Sequence, residues 1–188
     1  TGMPKGVQYN FNYALSMLED GEWGIFMSDD YTESRRLVDG KFEKCKLSYV
    51  LKELERVVNK VDKSGVQLVG MNAVGNPFYA RKKYSKYGLI DTRCFAVKKN
   101  KFQWDESIST IVDYYATAYH LKHYGGNLII NHCFADFVRY SKKGIGTFDE
   151  RMEQKIKDCR ALVRMFPENV VYRTKPNHPP LSHIVVKR

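Results

Sequence analysis

The chain lacks an apolar run approaching the ~20 residues that a membrane-crossing helix needs. It shows no internal repeat and no low-complexity tract, which excludes solenoid arrays and compositionally biased tails. Its first residues, Thr1-Gly2-Met3-Pro4-Lys5-Gly6, carry no signal-peptide pattern. Cysteine is sparse: four residues stand at positions 45, 94, 133 and 159. No two are spaced as a zinc or redox pair. The expectation is free thiols in a reducing, cytoplasmic setting. Acids are the minority charge, 21 Asp and Glu against 31 Lys and Arg, for a net +10. That excess favours anionic partners: nucleic acid, nucleotide phosphates or an acidic surface. A basic protein with no polyanion partner fits the composition equally well.

The sequence has enough apolar content for a sizeable core, with 43% hydrophobic residues in 188, and its length predicts a single domain over 1–188. Helices are expected from Gln8 to Asp20, from Ser48 to about Val61, from about Ser109 to Tyr124, and after Thr147. Val50, Leu51, Leu54, Val57, Val58 and Val61 recur at the helical period. Thr147 and Glu150 have the spacing of a capping box. Arg35, Arg36 and Leu37 read as a short helix. Strands are expected at Trp23–Ser28, Val66–Met71, Leu89–Lys98, Asn127–Phe137, Val170–Thr174 and Ile184–Val186. The alternation predicts a layered α/β domain with a mixed sheet.

Asp29 and Asp30 end the apolar run Trp23-Gly24-Ile25-Phe26-Met27-Ser28. A buried strand stopping on paired carboxylates places hard oxygen donors at a sheet's carboxyl edge, where open α/β folds bind ligands. The plainer reading is a solvated turn, because Asp caps turns and helices. Phe78-Tyr79-Ala80-Arg81-Lys82-Lys83-Tyr84-Ser85-Lys86-Tyr87 interleaves cations with aromatic rings. Such a stretch suits a polyanion, with rings for stacking and cations for phosphates. It equally suits a solvated loop anchored by tyrosines. Lys142-Lys143-Gly144-Ile145-Gly146 lacks the phosphate-loop spacing and reads as a flexible loop or lid. His132 lies in an apolar strand and is either a metal ligand or a satisfied core residue. His178 and His183 are rivals for the ligand role. His120 and His123, one turn apart, read as surface residues.

Three elements in order resemble a GT-A-type nucleotide-sugar glycosyltransferase. The first is Asn12 followed by Gly21-Glu22-Trp23 and the strand ending on Asp29-Asp30. The second is Trp104-Asp105-Glu106, after a strand and turn. The third is a helix with Asp113 near its start and Gly125 at its end. The resemblance covers about residues 8–135. The basic character and short C-terminal strands are most similar to the TET/JBP-associated glycosyltransferases, which are linked to hypermodified pyrimidines in DNA.

The resemblance implies a three-layer fold with a mixed, mostly parallel central sheet flanked by helices. It implies an enzyme moving sugar from a nucleotide-sugar donor to a hydroxyl acceptor: a modified base in DNA, otherwise a glycan or protein. It implies Mn²⁺ or Mg²⁺ held by Asp29, Asp30 and His132, and Asp113 as catalytic base, kept ionised by the positive end of its helix. Substrate contacts would fall to Arg81, Lys82, Lys83, Trp104, Asp105 and Glu106. Two departures stand out: Ser28-Asp29-Asp30 replaces the usual Asp-x-Asp, and Val112 replaces the usual Glu before the helix acid. Only 28 residues precede Asp29, too few for the family's β-α-β nucleotide-binding unit. A fragment, or a nucleoside pocket supplied by another segment or partner, is then implied. The competing functions are a metal-dependent nuclease or phosphotransferase using Asp29, Asp30 and Asp113, and a non-catalytic nucleic-acid-binding domain.

Overall fold

The computed structural model describes residues 6–72, 76–80, 82–138, 147–173 and 183–186. Among them are four α-helices and ten strands: α1 Val7–Ser16, β1 Trp23–Met27, β2 Tyr31–Val38, β3 Lys41–Cys45, α2 Leu47–Val61, β4 Leu68–Asn72, β5 Tyr84–Lys86, β6 Ile90–Lys98, α3 Val112–Tyr124, β7 Leu128–Ile130, β8 Cys133–Phe137, α4 Phe148–Met165, β9 Val170–Arg173 and β10 His183–Val186. None of the helices described is long and apolar enough to cross a membrane.

The main sheet has the order β1-β6-β4-β7-β5. Only β4 and β7 pair in parallel; β1–β6, β4–β6 and β5–β7 are antiparallel. The domain is therefore α/β with a mixed sheet, but the expected mostly parallel sheet is corrected to a mostly antiparallel one. The cause is β6, which enters between β1 and β4 running against both. A second sheet, β3-β2-β8, and a two-stranded β10-β9 ribbon complete the strands.

Apolar residues alternate across the main sheet and feed two cores. Phe95, Val97 and Leu68 face one core with Leu15 of α1, Ala116 and Ala118 of α3, and Cys159 and Leu162 of α4. Cys94, Ala96, Val69 and Met71 face the other, with Val50, Leu54, Val57 and Val58 of α2 and Phe134 of β8. Period-2 alternation on a sheet buried on both faces gives this division. Gly70 is needed because a Cβ there would lie 2.3 Å from Ile90 Cγ2.

Trp104, 2% exposed, packs with Phe11, Phe26, Phe95 and Phe102. Asn12 fastens α1 to this cluster. Its Nδ2 donates to Trp104 O and its Oδ1 accepts from Trp104 N–H, both at 2.8 Å. Asn12 thus takes the place of a strand edge and satisfies a backbone that water cannot reach.

Three further expectations are corrected. Residues 35–37 are in β2, not in a helix, because Asp39 (φ 46°) and Gly40 (φ 78°) turn the chain tightly into β3. Two successive positive-φ residues make the hairpin turn whose twist matches that of its strands. The single strand expected over 127–137 is two strands, β7 and β8, which belong to different sheets. β1, expected as a buried strand, is the edge of its sheet, with Ile25 44% and Met27 43% exposed. The capping box ahead of α4 is present, with Thr147 Oγ1 accepting from Glu150 N–H and Glu150 accepting from Thr147 N–H.

Candidate functional site

β1, β4 and β7 all run in one direction, since β1 and β4 oppose β6 and β7 parallels β4. Their carboxyl ends therefore meet one edge of the sheet. That edge receives Asp29-Asp30 after β1, Asn72 at the end of β4, and Asn131-His132 after β7. The amino end of β6, with Asp91 and Arg93, reaches the same edge. Ser28 N–H donates to Arg93 O at 2.8 Å, and Val138 N–H donates to Asp30 O at 3.0 Å. These bonds tie the acid turn to β6 and to the end of β8. Asp29 and Asp30 are exposed in this turn. Among the described residues no cluster of three or more His, Cys, Asp or Glu is arranged as a metal site.

Asp113 stands in the first turn of α3. The positive helix end was expected to keep it ionised. Instead its carboxyl is pushed up to about 6, first by burial and further by the charge of Asp91, against the pull of the Tyr114 and Asp113 backbone N–H groups and of Lys155. Desolvation outweighs the helix end here because it acts on the whole charge, whereas two backbone donors return only part of the lost hydration. Arg93 lies among three carboxylates. It donates to Asp91, from Nε to Oδ1 at 2.8 Å and also from Nη2, and it feels Asp136 and Asp113 as well. Its guanidinium sits 5.3 Å from the Phe137 ring centre. Sequence reasoning missed Asp91, Arg93 and Asp136. The available signal was Asp91-x-Arg93 on a strand, where residues two apart share a face.

His132 joins a second polar cluster. Its Nδ1 is 3.3 Å from Lys83 O, and its Nε2 is 3.0 Å from Glu53 Oε1, off the alignment of a good hydrogen bond. Glu53 also accepts from Tyr84 Oη at 2.7 Å and from Arg56 Nε and Nη2, each at 2.7 Å. Arg56 first, and then Tyr84 and His132, hold the Glu53 carboxyl down at about 2 against its burial. Burial pushes the His132 imidazole below its ordinary value. Both ring nitrogens already face oxygen atoms, so His132 is poorly disposed as a metal ligand.

The other candidates are scattered. Trp104 is a core ring. Asp105 Oδ1 accepts from Ser107 N–H and Oγ, closing a local turn, and Glu106 is exposed. The carbonyls of Lys82 and Lys83 accept from Asn131 Nδ2 and N–H, which binds the basic stretch to the sheet. Arg81, the 142–146 stretch and His178 lie outside the described residues, and His183 opens β10. His120 is a correction: it is fully buried, with Nδ1 2.7 Å from Ala116 O, and burial lowers its imidazole to about 4. All four cysteines are free thiols; burial raises Cys94 and Cys133 to about 12.

Comparisons with known protein families, with curated proteins and with solved structures each found no match.

Proposed function

We propose that the chain is a metal-dependent glycosyltransferase that moves a sugar from a nucleotide-sugar donor to a hydroxyl acceptor. The reading is supported by Asp113, whose carboxyl burial pushes up to about 6, beside the sheet edge that also receives Asp29 and Asp30. A general base works best with a pKa near the operating pH. Asp113 takes the proton of the acceptor hydroxyl as its oxygen bonds to the anomeric carbon. The bond from that carbon to the nucleoside diphosphate breaks, and the diphosphate leaves with the electron pair. Asp29 and Asp30 suit a hard divalent ion: they are exposed oxygen donors, and neither forms an ion pair with the described residues. Mn²⁺ or Mg²⁺ held there would neutralise charge developing on the diphosphate. Arg93, already ringed by carboxylates, keeps this acidic rim from excessive self-repulsion.

The acceptor follows from charge. A net +10 and the Lys82–Lys86 stretch favour a polyanion, which fits a modified base in DNA better than a neutral glycan or a protein. A thermal-shift screen of nucleotide sugars with and without Mn²⁺ tests the reading, because a ligand binding only the folded state raises apparent stability. A donor should raise the midpoint only with Mn²⁺, and Asp30→Asn should abolish that rise. No stabilisation by any nucleotide sugar, together with metal-dependent cutting of DNA, would move the assignment to a nuclease using the same acids. Salt-sensitive DNA binding indifferent to metal would leave a binding domain alone.

A further inference from the structure

A second charged feature lies away from the acid rim. Where β3 hands over to α2, an open depression of about 380 Å³ is lined by Arg36, Lys44, Lys46, Lys52, Tyr49 and Ser48, with Cys45 in its wall. Four cations share one concavity. Of these, Lys44 is paired with Glu33 at 2.9 Å. Arg36 lies over the Tyr49 ring, 5.6 Å from its centre, and Tyr49 is 37% exposed. Lys46, at the cap position of α2, makes no side-chain cap bond, so the first-turn N–H groups of that helix add partial positive charge to the same place.

The depression also has a continuation. Tyr49, Lys52, Glu53 and Arg56 fall at i, i+3, i+4 and i+7 of α2 and so share one face. Arg56 reaches Tyr84, directly after Lys82 and Lys83. Basic groups thus run from the β3–α2 junction along α2 to the basic aromatic stretch, interrupted by Glu53, whose charge Arg56 already covers.

We propose that this depression binds the phosphodiester backbone of a nucleic acid, with Tyr49 as a stacking face for a base. Cations tracking a backbone, with an aromatic ring among them, are the means by which single strands are held without sequence preference. An anionic membrane is a flat partner and would be met by protruding cations, whereas here they line a hollow. The proposal does not depend on sugar transfer, and its failure would leave the acid rim untouched.

The test uses a fluorescently labelled single-stranded DNA oligonucleotide and binding anisotropy across a salt series. Lys46→Gln with Lys52→Gln should reduce the slope of log affinity against log salt by about 1.4, since each single-strand phosphate contact contributes roughly 0.7. At 0.1 M salt the same pair should weaken binding roughly 10- to 30-fold. Lys60→Gln with Lys101→Gln removes equal charge from exposed sites elsewhere and should leave the slope unchanged. Tyr49→Ala should weaken binding with the slope retained. Oligonucleotide should also slow alkylation of Cys45, which is partly exposed while the other three cysteines are buried. Equal slopes for the two double variants would overturn the proposal. So would unprotected Cys45, or binding to phosphatidylserine vesicles in place of the oligonucleotide. Melting curves for each variant separate a lost contact from a lost fold.

Discussion

Two carboxylates near the same edge of one sheet have opposite fates. Glu53 is held down at about 2, while Asp113 is pushed up to about 6. Burial opposes the charged form in both. The difference lies in what was supplied in return. Glu53 receives Arg56 along two bonds and the Tyr84 hydroxyl. Asp113 receives backbone N–H groups from its helix turn and the weaker, more distant pull of Lys155, and the nearby Asp91 works against it. The arginine that approaches Asp113, Arg93, is committed to Asp91. A carboxylate fully compensated for burial is a structural joint. One left under-compensated carries a standing cost, and such groups concentrate where chemistry is done.

The comparison is tested most severely at Asp113. Asp113→Asn should lower turnover by about 10²- to 10⁴-fold, the usual contribution of a general base. Donor affinity should change little, because the base acts in the transition state. The same variant should be more stable than the parent by ~3 kcal/mol at pH 7, as one pKa unit corresponds to ~1.4 kcal/mol. The folded-state pKa is raised, so the parent is favoured while Asp113 is protonated and loses stability as pH rises from the unfolded value through about 6. Paired melts of parent and variant from pH 4 to pH 8 should diverge across that window. Parallel curves would break the comparison at its first term.

Glu53 should show the reverse sign. Its folded pKa is depressed, so its contribution, ~3 kcal/mol, is complete above the unfolded carboxylate value and lost as pH falls toward 2. Glu53→Gln should therefore destabilise at pH 7 by a comparable amount, leaving Arg56 without its carboxylate, and should lose less against the parent in acid. Denaturant unfolding at pH 7 and pH 3 reads both. A smaller effect is expected for Tyr84→Phe, ~2 kcal/mol for one hydroxyl bond to a charged acceptor. The smallest belongs to Asp91→Asn. Removing that charge should move the pH midpoint of the Asp113-dependent rate downward, and a freed Arg93 would add to the shift; an unmoved or upward midpoint would show that Asp91 does not raise Asp113.

Local rules made much of this architecture legible, and tertiary placement did not follow from them. The capping box at Thr147 and Glu150 and the helical period of α2 depend only on neighbours in sequence, and both appear where expected. The β2–β3 hairpin is equally local: Asp39-Gly40 is the turn signal that places Arg35-Arg36-Leu37 in a strand and not in the expected short helix. Sheet order is different in kind. Nothing in Trp23–Met27 states whether it will lie inside a sheet or at its border, since both require an apolar strand. His120 likewise carries no sequence mark of burial; it goes inside because α3 lies against Phe102 and its neighbours. The candidate acids Asp29, Asp30 and Asp113 were legible as residue types in order. The burial that raises Asp113, and the charge of Asp91 that adds to it from β6, come from tertiary packing and were not.

The step from β7 to β8 has a mechanical consequence. In two residues the chain leaves one sheet for another, and Asn131 at that step grips its surroundings on several sides. Its side chain meets Asn72 at 3.2 Å, Lys82 O at 2.9 Å and Ser85 Oγ at 3.0 Å, and its N–H holds Lys83 O at 3.0 Å. Asn131 acts as a rivet through three layers of chain. The stretch from Lys82 to Ser85 is therefore part of the chassis: it cannot swing over a ligand without tearing bonds that also anchor the β7–β8 step. Whatever docks there meets a rigid surface set in advance, and the ordering entropy of that stretch has already been spent in folding.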